Sequence, residues 1–187
     1  MKRRIHIFGA SGSGTTSIAK SVCDSIKYSH FDSDNYFWLP TSDHFTVERP
    51  QEERIPLMEN DLSNYDSWIL SGSLTGWGDA LIPFFDLVVF VYVPQEIRME
   101  RLKKREYERY GDDILSGGKR HEGNKVFLEW AASYDTGTRS GRSLSKHEKW
   151  LEQVECQVIR IRNDSFDDSV SAVMKAITGV GDLYSAQ

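Results

Sequence analysis

Short, continuously apolar runs alternate along the chain with stretches whose apolar residues recur every three or four positions. Ile5-His6-Ile7-Phe8 is a run of the first kind and stops at Gly9. Thr15 to Tyr28 is of the second: Ile18, Val22 and Ile26 sit four apart with Ala19 and Cys23 beside them, so one face of a helix is apolar. Ser29-His30-Phe31-Asp32 and Ser67-Trp68-Ile69-Leu70 predict a second and a third strand. Leu87 to Val93 is unbroken and β-branched, as expected of a strand buried on both faces, and Gln157 to Ile161 predicts a fifth. Helical patterns follow over Gln95 to Arg109 and, at the end, over about Asp167 to Thr178, where Val170, Val173, Met174 and Ile177 form one stripe. Ser165 and Asp168 have the spacing of a capping box at the start of that last helix. Strands separated by helices predict a parallel sheet with right-handed crossovers.

Two stretches interrupt the alternation. The first, 35–66, holds Phe37, Trp38 and Phe45 and then a helical run around Gln51 to Leu62. The second, 110–150, is rich in glycine, lysine and arginine. At 187 residues the chain suits one domain, 1–187, carrying these two insertions.

The strongest local signal is Gly9-Ala10-Ser11-Gly12-Ser13-Gly14-Thr15-Thr16, set between the first strand and the first helix. That is the context of a phosphate-binding P-loop. Glycines let backbone approach a polyphosphate, successive N–H groups form an anion nest, and the helix N-terminus adds partial positive charge. Thr16 occupies the position whose hydroxyl ligates Mg²⁺. The pattern calls for lysine at position 15, and this chain has Thr15, which offers a hydroxyl but no charge. Lys20 is too far along the helix to replace it, so arginines of the second insertion are the better candidates.

The second strand runs into Asp32-Ser33-Asp34. The carboxyl ends of parallel strands face the binding crevice. Both acids therefore emerge beside the phosphates. One can hold Mg²⁺ and the other can accept a proton from an attacking hydroxyl. An Asx-type turn leaving the strand accounts for the same residues. Trp38 and Trp77 suit either a substrate pocket or the core, and Arg49 and Arg54 either an anion clamp or a solvated surface. After the fourth strand, Arg98, Arg101, Arg105 and Arg109 recur at spacings of three, four and four on one helical face. Six basic and three acidic residues between 98 and 109 give a local charge of +3 in a chain of -5, which suggests an anionic partner. The glycine-rich stretch beyond, with Lys119, Arg120, His121, Arg139 and Arg142, can close as a lid.

Composition narrows the remainder. Apolar residues are 39% and charged residues 27%, ordinary for a globular domain. The negative net charge argues against wholesale capture of nucleic acid. Cys23 and Cys156 form no CxxC pair, and the five histidines show no zinc-binding spacing. No apolar run reaches the ~18 residues of a membrane helix, and the basic N-terminus leads into too short an apolar run for a signal peptide. A cytoplasmic protein, monomeric or homodimeric, is expected.

The loop and the Phe31-Asp32-Ser33-Asp34 motif resemble those of the small-molecule P-loop kinases, the adenylate, shikimate and gluconate kinases. The chain also looks like small proteins labelled adenylate-kinase-like or AAA-family ATPase. The resemblance implies an α/β/α sandwich on a five-stranded parallel sheet of order 2-3-1-4-5, with ATP and Mg²⁺ as cofactors. Gly9, Ala10, Ser11, Gly12, Ser13, Gly14, Thr15 and Thr16 would bind nucleotide, and Thr16 and Asp32 the metal. Asp34, Arg101 and Arg105 would act in catalysis. Stretch 35–66 would bind a small-molecule phosphate acceptor, a nucleotide or a hydroxyl metabolite, and 110–150 would form the lid. Two other readings compete. Thr15 supports a nucleotide sensor with little transfer activity, and Ser13-Gly14-Thr15-Thr16 resembles the phosphosulfate loop of sulfotransferases.

Overall fold

A computed structural model describes residues 1–179; residues 180–187 of the expected single unit lie outside the described residues. Five parallel strands, β1 (Arg4–Gly9), β2 (Ser29–Asp32), β3 (Trp68–Ser71), β4 (Leu87–Tyr92) and β5 (Gln157–Arg162), form one sheet in the order β2-β3-β1-β4-β5. This is the expected order, and each strand lies within a residue or two of its predicted bounds. The helices are α1 (Thr15–Ile26), α2 (Asp34–Phe37), α3 (Gln51–Ser63), α4 (Gln95–Tyr110), α5 (His121–Ala132), α6 (Leu144–Leu151) and α7 (Phe166–Thr178). Ser165 caps α7 by accepting from the Asp168 N–H at 3.3 Å, the half of the capping box that its hydroxyl can make. Among the described residues no helix is long and apolar enough to cross a membrane.

Strand alternation sorts the core into two faces. Ile5, Ile7, Ile69, Leu87, Val89 and Val91 point to one side, where α1 brings Ile18, Ala19, Val22 and Cys23 and α7 brings Val173 and Ile177. The side chains between them, Phe8, Trp68, Leu70, Val88 and Phe90, point to the other, against Met58, Leu62, Phe85 and Trp150. The first face is aliphatic. The second is aromatic and carries buried polar groups.

His6 is one of these. It stacks on Phe8 and Phe85 with ring centroids 5.1 and 5.0 Å apart, and its Nδ1 lies 3.1 Å from the Leu70 carbonyl. His147 of α6 lies 2.8 Å from the Tyr134 hydroxyl through Nδ1 and 3.0 Å from Ser73 Oγ through Nε2. Burial pushes both imidazoles down to about 3; the positive charge of Arg142 adds to this at His147. Arg98, first of the arginines on α4, is fully buried. Its guanidinium donates to the carbonyls of Val93 (3.0 Å) and Ala131 (3.2 Å) and pairs with Asp135 at 2.6 Å. It therefore ties α4 to α5 and does not face the crevice.

Two predictions follow from these buried groups. Between pH ~6.5 and ~3 the unfolded chain protonates both histidines while the folded chain keeps them neutral. Stability is therefore full above that window and falls as pH drops through it, by up to about 1.4 kcal/mol per pH unit for each histidine. Urea unfolding from pH 7.5 to 5 measures the slope. His6→Phe, which keeps the stack, should remove about half of it; a stability independent of pH would show both rings to be solvated. Arg98→Leu should cost about 3–5 kcal/mol by leaving Asp135 unpaired. A loss under 1 kcal/mol in the same assay would place the guanidinium in solvent.

Candidate functional site

The phosphate loop begins where β1 can go no further. Gly9 pairs with Val91 of β4, and a Cβ there would sit 2.3 Å from the Val91 carbonyl oxygen and 2.7 Å from Ser13 Oγ. Only glycine allows strand and returning loop to pass this closely. The Ser13 N–H closes a turn on the Ala10 carbonyl at 3.1 Å. Gly14 then adopts φ 89°, ψ 14° as the N-cap of α1, and the first helical bond runs from the Ile18 N–H to the Gly14 carbonyl at 3.0 Å. The N–H groups of the first turn have no acceptor within the helix, and no acidic side chain stands among them. An anion fits that place. Ser13 is fully buried, and its hydroxyl has no hydrogen-bond partner among the described residues.

Thr15 is half-buried at the position where the motif has lysine. Lys20 is exposed further along α1, close enough to His30 to add to the burial that lowers that imidazole's pKa.

Register brings the acids to the loop. Asp32 ends β2 opposite Ser71, the last residue of β3. Its Oδ2 accepts from Thr16 Oγ1 at 2.9 Å and from Ser71 Oγ at 3.1 Å, and its Oδ1 accepts from the Asp34 N–H at 3.1 Å. His30 Nε2 lies 2.9 Å from the same Ser71 hydroxyl. Asp34 opens α2 and is partly buried. Burial raises its pKa and the charge of Asp32 adds to that, while Arg142, Arg105 and Arg109 oppose it. Asp32 and Asp34 thus share a junction with the phosphate loop, and the Asx turn is present as well, made by Asp32 itself.

The arginines divide. The Arg101 guanidinium donates to the Asn163 carbonyl at 3.2 Å, next to the phosphate loop. Arg105 is exposed and bonded to Glu106 Oε1 at 2.9 and 3.2 Å, with its charge felt at Asp34. Arg109 lies over the Phe45 ring at 5.2 Å, and Arg120 pairs with Asp43. The first contact ties the first insertion to α4, and the second joins it to the second insertion. Arg54, expected in solvent or on an anion, is instead buried. It lies 3.9 Å over Phe37 and donates to the Arg49 carbonyl and to Glu48. Trp38 and Trp77 both pack edge-on to Phe37, at 4.9 and 5.9 Å.

Arg142 stood among the basic residues of the second insertion without a motif of its own, and Asn163 carried no local signal. Arg142 exerts the largest favourable charge on Asp34 from more than a hundred residues away. Asn163, one residue past β5, donates from Nδ2 to the Ser13 carbonyl at 2.9 Å. The rule that strand ends face the crevice, applied to β5 as it was to β2, would have singled out Asn163.

Known proteins match at two levels. Among solved structures, shikimate kinase from Acinetobacter baumannii superposes with a TM-score of 0.57 at 16% identity, covering 96% of this chain and 94% of that one. Shikimate kinase from Bacteroides thetaiotaomicron gives 0.56 at 16% identity, over 95% and 99%. That likeness is one of fold. In sequence, the uncharacterized protein YqaC of Bacillus subtilis (strain 168) is 46% identical over 175 residues, 93% of this chain and 97% of that protein. Residues 5–125 match the AAA domain family. The chain belongs to the AAA domain family and has the fold of the small P-loop kinases.

Proposed function

We propose that the protein is an ATP-dependent phosphotransferase acting on a small hydroxyl-bearing acceptor. One observation carries this reading: Asp32 is hydrogen-bonded at once to the Thr16 hydroxyl and to the Asp34 amide, so a second carboxylate stands beside the phosphate loop. The loop amides and the α1 N-terminus would hold the triphosphate. Thr16 Oγ1 is a hard oxygen donor of the kind Mg²⁺ takes together with waters and phosphate oxygens, and the Asp32 carboxylate, whose Oδ2 already accepts from Thr16 and Ser71, would hold the ion through water. The threonine gives its proton to Asp32 and keeps its lone pairs free. Mg²⁺ held there would offset charge on the β- and γ-phosphates.

Asp34 is the proposed proton acceptor. As the acceptor's oxygen bonds to the γ-phosphorus, its proton passes to the Asp34 carboxylate, the bridging P–O bond breaks, and ADP leaves. Burial raises the basicity of that carboxylate, which suits the role. Arg101 and Arg105 would supply the charge that Thr15 lacks. The fields of Arg142 and Arg109 at Asp34 favour an acceptor with an anionic group near its hydroxyl. Within the unit 1–187, segment 35–66 would bind the acceptor and 110–150 would close over it. The Asp43–Arg120 contact between the two supports this division. Thr15 favours a second reading, a nucleotide sensor that binds ATP without transferring phosphate.

Calorimetry and thermal shift with Mg²⁺·ATP test the common ground. The natural protein should be stabilised by about 2.7 kcal/mol at a hundredfold excess over Kd, and Gly14→Asp should abolish the shift. Stabilisation by adenosine phosphosulfates in place of ATP would overturn the kinase and sensor readings together. Transfer itself is tested by Asp34→Asn against a panel of anionic hydroxyl acceptors. Turnover should fall by about 10²–10⁴-fold with ATP affinity kept within about twofold. Tight ATP binding with no turnover on any acceptor would leave the sensor.

A further inference from the structure

We infer that Asn163 is a positioning residue for polyphosphate binding: its side-chain amide sets the orientation of the Ser13–Gly14 peptide and so aims the Gly14 N–H. The inference rests on the phosphate-loop reading above and names a residue outside the motif on which that reading depends.

Asn163 is 3% exposed and joins four parts of the fold. Its N–H donates to the Tyr92 carbonyl at the end of β4 at 3.0 Å, and its carbonyl accepts from Arg101 of α4 at 3.2 Å. Its Oδ1 lies 3.0 Å from Ser169 Oγ of α7, and its Nδ2 donates to the Ser13 carbonyl at 2.9 Å. The main-chain bonds fix where the side chain starts. The Ser13 carbonyl, which only accepts, fixes the carboxamide with its nitrogen toward Ser13, since the reverse orientation would set two oxygens against each other; the Ser169 hydroxyl, shared with the Ser165 carbonyl at 2.8 Å, supports Oδ1 from the other side.

The consequence for the loop is geometric. In a trans peptide the carbonyl and the following N–H point in opposite directions. Holding the Ser13 carbonyl on Asn163 therefore turns the Gly14 N–H away from β5. Gly14 is the N-cap residue, and its N–H belongs with the unpaired donors of the α1 first turn. The peptide has few other restraints, because Gly14 has no side chain and tolerates many backbone angles. It also cannot acquire one cheaply: a Cβ at Gly14 would lie 2.8 Å from Asn163 Nδ2, at a φ of 89°. With Thr15 in place of lysine, correctly aimed backbone donors carry more of the anion's binding. The same residue tethers Arg101, so one side chain and its own carbonyl hold a loop donor and a nearby cation in fixed relation.

The test uses tripolyphosphate and Mg²⁺·ATP as probes on the full chain. Asn163→Leu keeps the size and removes the donor; Ser169→Ala is the milder change. Val173→Ala, in the aliphatic core between α1 and α7, serves as a control that lowers the melting temperature without touching the loop. Both probes should bind Asn163→Leu roughly tenfold or more weakly, the loss expected of one donor to a charged acceptor. Val173→Ala should bind as the natural protein does. The Gly14 amide resonance should shift on adding tripolyphosphate to the natural protein and not to folded Asn163→Leu. If the natural protein binds both probes and Asn163→Leu or Ser169→Ala matches Val173→Ala in affinity and in the Gly14 shift, Asn163 merely supports the fold and the inference is overturned. If the natural protein binds neither probe, the phosphate-loop reading fails and takes the inference with it.

Discussion

The Asp32 carboxylate accepts three hydrogen bonds, from the Thr16 hydroxyl, the Ser71 hydroxyl and the Asp34 N–H, and the geometry of the whole site depends on that junction. Strand order explains why it takes this form. β3 lies between β2 and β1, so an acid at the end of β2 must reach past the end of β3 to meet the helix that follows β1. A large residue at position 71 would block the reach. Serine is small enough to admit it and polar enough to bond it. Three separate segments, the first turn of α1, the end of β3 and the start of α2, are thereby locked to one ionised group. Charge-assisted bonds of this kind are roughly twice as strong as neutral ones, which suits a junction that fixes three segments at once.

Without lysine at position 15, the anion binding proposed here would divide into two sources with different behaviour. The donors of the α1 N-terminus are resident: they are backbone, fixed by the turn at Ala10–Ser13 and by the N-cap at Gly14. The full charges belong to α4 and the segment beyond it, and they are conditional. Arg105 is occupied by Glu106, Arg109 lies on Phe45 and Arg120 is paired with Asp43. Each must exchange a protein partner for a ligand, so the net gain is smaller than the Coulomb attraction alone and depends on how the two insertions meet. Such an arrangement suits a site that acquires its positive charge on closing.

The sheet, the loop and the placement of Asp32 and Asp34 were legible because their signals are local. A β-branched run, a Gly-rich strand-to-helix junction and a carboxylate at a strand end each fit in a few residues. Arg98 shows where such reading stops. Helical geometry puts Arg98, Arg105 and Arg109 nearly in register on one face, and nothing in their spacing separates them. Position along the axis does: Arg98 lies at the start of α4, bonded to the Val93 carbonyl and to the Ala131 carbonyl of α5, whereas Arg105 and Arg109 further along are exposed. Arg54 was hidden for a related reason. Its guanidinium is buried flat on Phe37, a contact set by the packing of α3 on α2. Arg142 and Asn163 act on residues more than a hundred positions away, and only the strand order and the fold of the second insertion bring them in.

The two faces of the sheet differ in a way that bears on this site. The α1/α7 face is aliphatic and needs no directional contacts. The opposite face, from which both insertions rise, buries His6, His147, Arg54 and Arg98 among aromatic rings. Most of their polar atoms are satisfied, and hydrogen bonds, a ring contact and a close backbone approach link His147 and Arg98 into one path. Ser73, just past β3, meets His147; His147 meets Tyr134; the Tyr134 ring lies 5.0 Å under the Arg98 guanidinium; and the Arg98 backbone carbonyl is the atom a Cβ on Gly12 would strike at 2.8 Å. A polar path of this kind adds little stability over an apolar core. It does restrict which arrangements satisfy every partner, since a shift of one member strands the next. The loop after β3 and the phosphate loop after β1 are thus held to a common frame through α4. That frame gives a physical reason for the protein to bury histidine and arginine where leucine and phenylalanine would pack more simply.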